Sequence, residues 1–321
     1  MIGISWGGFN GLQIAAMEPP QLKAVITVCS TDDRYTDDVH YMGGCLLGDN
    51  LSWASSMFAH TSLPPDPDNV GERWRDLWRQ RLEGSGLWLD TWLRHQRRDA
   101  YWRHGSICED FSRVNIPVFA VSGWADGYSN AVFRLMEDLP GPRRGLIGPW
   151  SHKYPHMGIP GPAIGFLQEA VAWWDHWLKG EDNRAMDEPM LRVWMQDSVP
   201  PTTYRATSPG RWVGEPSWPS ARVHMTPYSL SRAGVLPEAE AVDVDEPPRS
   251  VQSPLSVGLF AGKWCSFTAT PDLPHDQREE DGGAIVYTSR PLPEAVEILG
   301  APVVELDLSC DQPQAMVAVR L

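Results

Sequence analysis

The 321-residue chain predicts an α/β fold built on a parallel, doubly wound sheet, followed by a second, β-rich domain. Three observations carry this. Gly3-Ile4-Ser5-Trp6-Gly7 has G-x-S-x-G spacing, which sets a serine on a tight strand-to-helix turn, the nucleophile elbow of an α/β-hydrolase core. Short apolar, β-branched runs then alternate with helical segments, as in a buried parallel sheet. From about residue 186 helical periodicity fades, and Pro- and Gly-punctuated β-type runs suggest a β-sandwich such as a jelly roll.

Only four residues precede Ser5, so the elbow strand is a stub and the core is expected to lack the strands that ordinarily come before it. Residues 7–17 continue the elbow as a helix that stops at Pro19-Pro20. The run 22–28 (LKAVITV) reads as a buried strand. Residues 31–113 form a long aromatic insertion with helical pattern. Val70, Trp74, Leu77 and Trp78 make one apolar stripe, and Leu89, Trp92 and Leu93 begin another that ends near Gly105. Such an insertion suits a cap over an active site, with its tryptophans as the cap's own core.

Strands are expected at 118–121, entered through Ile116-Pro117, and at 146–147, with a helix over 131–139 between them. Residues 166–179 (FLQEAVAWWDHWLK) form the clearest helix. Phe166, Ala170, Trp173, Trp174 and Trp177 share one face, and Gly180 is the C-cap. A charged linker follows, dividing a hydrolase domain (1–185, cap about 31–113) from a jelly-roll domain (186–321). Strands of the latter are expected at 190–195, 284–288, 303–308 and 316–321. The last run ends with the chain, so this domain too is expected to be incomplete.

The net charge of −14 argues against nucleic acid or an anionic membrane surface as partner. Five widely spaced cysteines read as reduced thiols of a cytoplasmic protein, and they lack metal-ligand spacing. No apolar run reaches the length of a membrane span, and no signal peptide is visible.

Ser5, Asp126 and His152 appear in the order nucleophile, acid, base, each just after an expected strand. The order would put all three on one rim of a single sheet. Ser5 is a poor nucleophile until a base takes its proton, which His152 can do near neutral pH. Asp126 would orient the imidazole, and the backbone N–H of Trp6 would donate to the oxyanion. Neither metal nor cofactor is needed. Asp126-Gly127 also fits a plain turn. The cluster Asp32, Asp33, Asp37 and Asp38 fits either a substrate ammonium site or solvated and capping carboxylates. His152 and His156 are four apart, but Lys153-Tyr154-Pro155 disfavours the helix a metal pair would need. His95 and His104 read as surface residues.

Gly3-Ile4-Ser5-Trp6-Gly7-Gly8, Gly123-Trp124-Ala125-Asp126-Gly127 and Gly148-Pro149-Trp150-Ser151-His152 together resemble the cocaine-esterase-like acyl hydrolases (CocE/NonD hydrolases) of the Xaa-Pro dipeptidyl-peptidase superfamily. Tyr41-Met42-Gly43-Gly44 resembles the start of that family's helical cap, and the stretches around Asp276-Gln277 and 291–302 resemble its jelly roll. The resemblance implies metal-free serine hydrolysis of a small-molecule ester or amide, with Ser5, Asp126 and His152 in the catalytic roles. Self-association is left open. Dipeptidyl-peptidase action is the alternative within the family, with Asp32 or Asp33 taking a substrate α-amino group. The family also has a tyrosine upstream of the elbow that completes the oxyanion hole. Its absence here leads to the expectation of a weak or inactive chain, since one lost donor costs roughly 2.7–4 kcal/mol.

Overall fold

The computed structural model describes residues 1–237, 246–267 and 272–321. Its centre is a six-stranded sheet in the order β1-β2-β5-β6-β7-β8. The strands are β1 (Ile2–Ile4), β2 (Val25–Val28), β5 (Val118–Gly123), β6 (Arg143–Gly148), β7 (Leu191–Gln196) and β8 (Gly210–Glu215). The first five are parallel, and β8 closes the far edge antiparallel to β7.

Alternate residues of these strands face two cores, which is why the runs are apolar throughout rather than alternating. Val25, Val118, Ala120, Ile147, Leu191 and Val193 pack against helices α1 (Trp6–Ala16) and α7 (Ser129–Asp138). Ile26, Val28, Phe119, Val121 and Leu146 pack on the other face against α8 (Phe166–Trp174). The expected helix 166–179 passes into a π-helical turn over Asp175–Lys179, and Gly180 ends it at φ 73°, a left-handed cap that suits glycine.

The insertion between β2 and β5 holds a small hairpin, β3 (Tyr41–Met42) and β4 (Cys45–Leu46). It also holds helices α2 (Asp49–Thr61), α3 (Pro67–Val70), α4 (Trp74–Gly84), α5 (Trp88–Arg94) and α6 (Ala100–His104). The segment 41–44 is a hairpin that leads into the helices of this insertion. Gly43 and Gly44, at φ 57° and 84°, supply the left-handed pair that a two-residue hairpin turn requires. Tyr41, Ala54, Trp92 and Trp102 form the buried core of this insertion. Trp74 and Trp78 stack on each other at 6.2 Å on a helix with no buried residue.

Three departures concern the second half. The run 190–195 belongs to the main sheet as β7, because Leu191 and Val193, both 0% exposed, complete the core shared with Val118 and Ile147. The runs 303–308 and 316–321 form no strand, and Val303, Leu308 and Val317 are exposed. The run 284–288 also forms no strand, although Thr288 O accepts a hydrogen bond from Val235 N at 3.2 Å. β-type composition makes a strand only where a neighbour completes the ladder. Beyond β8 the described strands are the hairpin β9 (Tyr228–Ser231) and β10 (Gly234–Pro237).

The elbow brings β1 and α1 into backbone contact. A Cβ on Gly3 would lie 2.3 Å from the carbonyl carbon of Gly7, whereas a Cβ on Gly7 would meet nothing within 4 Å. Gly3→Ala is therefore expected to cost about 1–3 kcal/mol by overpacking. Gly7→Ala, inside α1, is expected to be neutral or to stabilise by up to about 1 kcal/mol. Urea midpoints of the two variants check this. Equal midpoints would contradict the assigned contact.

Candidate active site

Ser5 follows β1 in a conformation that few side chains adopt, φ 57° and ψ −122°. Strain of this kind costs about 1–3 kcal/mol and survives only where neighbours enforce it. Here the Ser5 N–H donates to Val28 O at 2.8 Å and its carbonyl accepts from Phe9 N at 3.0 Å, pinning the residue between β2 and α1. Trp6 opens α1, so its N–H is among the first amides of the helix and has no carbonyl one turn back. Ser5 and Trp6 line a cavity with Phe9, Thr31, Arg34, Val39, Trp53 and Tyr128. The Trp6 indole meets Trp53 and Trp88 edge to face, at 5.4 and 6.0 Å.

Asp126 and His152 come from the loops after β5 and β6. These loops touch so closely that a Cβ on Gly123 would lie 2.1 Å from Trp150 O. Ala125 N donates to that same carbonyl at 3.1 Å. Asp126 is 5% exposed; His152 Nδ1 lies 3.0 Å from its Oδ1, and Ser122 Oγ donates to its Oδ2 at 3.2 Å. The backbone N–H of His152 donates to Ser266 O at 2.7 Å, so a segment from far along the chain backs the imidazole.

β1 and β6 are three strand spacings apart, about 14 Å at about 4.8 Å each, so the His152 loop must reach back across the sheet to approach Ser5. It does so. The Cys29 thiol, just past β2, points to Lys153 O at 3.9 Å, and Tyr128 both lines the Ser5 cavity and lies 5.8 Å from the His152 ring. No hydrogen bond joins Ser5 to His152 in the structure; catalytic hydrogen bonds commonly shorten only around substrate.

The acidic cluster is not solvated. Asp32 and Asp38 are 1% and 0% exposed. Arg134 grips Asp32 with two nitrogens, at 2.9 and 2.5 Å, and reaches Asp37 at 2.7 Å. Asp33 caps its turn by accepting from the Tyr35 and Thr36 amides, each at 3.0 Å, and pairs with Arg98 at 2.6 Å. Asp38 pairs with Arg34 at 2.8 Å and accepts from Tyr128 Oη at 3.1 Å. Burial pushes the Asp32, Asp37 and Asp38 carboxyls above the usual range despite these arginines. For Asp33 burial also works upward, but Arg98 and the two amides outweigh it and hold the carboxyl low. The two candidates for an ammonium site, Asp32 and Asp33, are thus both engaged by arginine.

Ser122, Tyr128, Cys265 and Ser266 join the site without having been singled out in the sequence. Ser122 was readable as the residue closing a strand just before Asp126. Cys265 and Ser266 were not, because tertiary folding alone brings residue 266 to residue 152. His95 is partly exposed and lies 2.6 Å from Asp99, and His104 is exposed.

A doubly wound sheet with a strained elbow serine and a buried acid–histidine pair on the same rim defines the α/β-hydrolase class. Residues 1–154 match the family described as X-Pro dipeptidyl-peptidase (S15 family), and residues 183–321 match the X-Pro dipeptidyl-peptidase C-terminal non-catalytic domain. The chain belongs to the Xaa-Pro dipeptidyl-peptidase superfamily. A Mycobacterium bovis protein named as a serine esterase is 26% identical over 215 residues, 64% of this chain and 31% of the relative. A Bacillus cereus protein named as an Xaa-Pro dipeptidyl-peptidase is 21% identical over 321 residues, 97% of this chain and 48% of the relative. The fold is shared with a CocE/NonD family hydrolase from Staphylococcus aureus, at TM-score 0.54 and 18% identity over 73% of this chain and 37% of that one. It is also shared with an aminopeptidase from a marine sediment thaumarchaeote, at TM-score 0.51 and 18% identity over 74% and 42%. The chain spans 31% of the length of the first of these curated relatives and 48% of the second. No helix among the described residues is long and apolar enough to cross a membrane.

Arg134→Met leaves the buried Asp32 carboxylate without its counter-charge, and is expected to cost roughly 3 kcal/mol near neutral pH. The Asp32 pKa in the fold is raised above 3.8 already and rises further without Arg134, so the cost is full above that folded value. It shrinks as the pH falls through it, because a neutral carboxyl needs no partner. Chemical denaturation of both proteins from pH 7 down to 4 checks the sign. A cost that grew on acidification would contradict the assigned pair.

Proposed function

We propose that the protein is a serine acyl hydrolase that cleaves small-molecule esters or amides through an acyl-enzyme, with Ser5, Asp126 and His152 as the triad. The observation that carries this reading is the buried 3.0 Å contact between Asp126 and His152, on the rim where the elbow delivers Ser5. Ser5 Oγ attacks the carbonyl carbon while His152 Nε2 accepts its proton. Asp126 holds the Nδ1–H tautomer and stabilises the imidazolium. The Trp6 N–H, at the positive end of α1, donates to the oxyanion. Collapse of the tetrahedral intermediate expels the alcohol or amine, which takes the proton from His152. Water, activated by the same imidazole, then releases the acid. The aromatic surfaces of Trp6, Trp53 and Tyr128 beside Ser5 would hold the acyl or leaving group.

The test is fluorophosphonate labelling of the chain with peptide mapping. The adduct is expected on Ser5 and absent in Ser5→Ala. In Asp126→Asn labelling is expected to slow by roughly 10⁴-fold, because the amide favours the wrong tautomer. An adduct mapping elsewhere, or full-rate labelling in Asp126→Asn, would refute the triad.

A second reading, release of N-terminal dipeptides, has in its favour the B. cereus relative, aligned over 97% of this chain. It requires a carboxylate for the substrate α-ammonium, and the pairing of Asp32 with Arg134 and of Asp33 with Arg98 counts against both candidates. With Asp33→Asn, the ratio of activity on an amino-acid ester to that on its deaminated analogue is expected to stay the same. A tenfold fall in that ratio would favour the peptidase reading.

A further inference from the structure

Beneath His152 lie two buried thiols that the triad chemistry does not use, Cys29 and Cys265, set against Asp126 and His152 themselves. The Cys29 thiol, an Asp126 carboxylate oxygen and a His152 ring nitrogen all lie within 4.8 Å of one another. Cys265 Sγ lies 3.7 Å from Asp126 Oδ1, the oxygen that His152 Nδ1 also contacts, but outside that set of three, so it must move inward to act as a fourth donor. The four residues are 1%, 5%, 7% and 6% exposed. Zinc binds sulfur at about 2.3 Å and nitrogen or oxygen at about 2.0–2.2 Å, so tetrahedral donors stand roughly 3.3–3.8 Å apart. The His152–Asp126 separation of 3.0 Å and the Cys265–Asp126 separation of 3.7 Å are already close to that. Movements of about an ångström would bring in Cys29, and Cys265 must also shift toward the other donors.

We propose that Cys29, Asp126, His152 and Cys265 form an inhibitory site for a zinc-like divalent cation. Two sulfurs, one imidazole and one carboxylate suit zinc, cobalt(II) or cadmium, and not magnesium or calcium, which require oxygen ligands. Binding is a ligand exchange. Both thiols lose their protons to solvent, two per cation, and four donor bonds form. The His152 consequence follows from its tautomer. A cation on Nδ1 displaces the Nδ1 proton and leaves Nε2 as the N–H. The nitrogen that should accept the Ser5 proton then has no lone pair, and Asp126 is occupied as well. This inhibition rests on His152 being the base; the binding of the cation does not.

The full chain is dialysed against one equivalent of cobalt(II), long enough for a buried site to equilibrate. A thiolate-to-cobalt charge-transfer band is expected at one cobalt per chain. It is expected to persist when Cys45, Cys108 and Cys310 are all replaced by serine, to fall by about half in Cys29→Ser or Cys265→Ser, and to vanish in Cys29→Ala with Cys265→Ala. Zinc is expected to displace the cobalt and abolish fluorophosphonate labelling of Ser5, with recovery on adding EDTA. No thiolate band at one equivalent, or a band undiminished without Cys29 and Cys265, overturns the site. Zinc loading that leaves labelling unchanged overturns the inhibition. A metal-free chain that fails to label speaks against the hydrolase reading, while the cobalt band still decides the cation site.

Discussion

Five strands running the same way impose one condition from which most of this molecule follows. In a parallel ladder every strand ends on the same rim, and each must be followed by a crossover before the next begins. The turns after β1, β2, β5 and β6 are therefore neighbours whatever lies between them in sequence. Ser5, Cys29, Asp126 and His152 owe their proximity to this ladder. The loops carrying Asp126 and His152 are tied together by Trp150, which is 1% exposed and anchored through Nε1 to Pro162 O at 2.8 Å. Its carbonyl meanwhile holds the Asp126 loop. The acid and the base are thus joined through backbone before their side chains meet.

Much of this order could be read from the chain. β2, β5 and β6, the helix α8 and the elbow lie where apolar runs, helical stripes and the glycine motif put them, because local pattern and tertiary burial agree there. The sequence was harder to read where a residue's role depends on a distant partner. The run 190–195 has the same composition as the tail runs, and only its fit against β6 makes it a sheet strand. The runs 303–308 and 316–321 find no such neighbour. For the carboxylates at 32, 33 and 37 an ammonium site and solvated or capping charges both stay open in the sequence, because their arginines, Arg98 and Arg134, lie about sixty to a hundred positions further on.

That cluster also explains how an acidic protein keeps unpaired negative charge away from Ser5. Four carboxylates just past β2 are held by three arginines, and His40, between Arg34 and Asn50, is pushed down to about 3 by burial and the guanidinium. A neutral imidazole there leaves Arg34 free to serve Asp38. Arg34 also lies over the Phe9 ring at 4.4 Å, so the wall facing Ser5 is aromatic and cationic in part, unlike the surface at large. The electrostatics of the site are set by local pairing rather than by the net charge of −14.

The segment that matches the C-terminal non-catalytic domain begins at residue 183, yet it supplies β7 and β8 to the central sheet. Trp194 O of β7 accepts a hydrogen bond from Trp124 Nε1, two residues before Asp126, at 2.7 Å, and Ser266 backs His152. The unit of homology is therefore smaller than the unit of folding. Exchanging tails between relatives at that seam would not swap an accessory module. It would replace part of the scaffold that positions His152, so the two segments are constrained to change together.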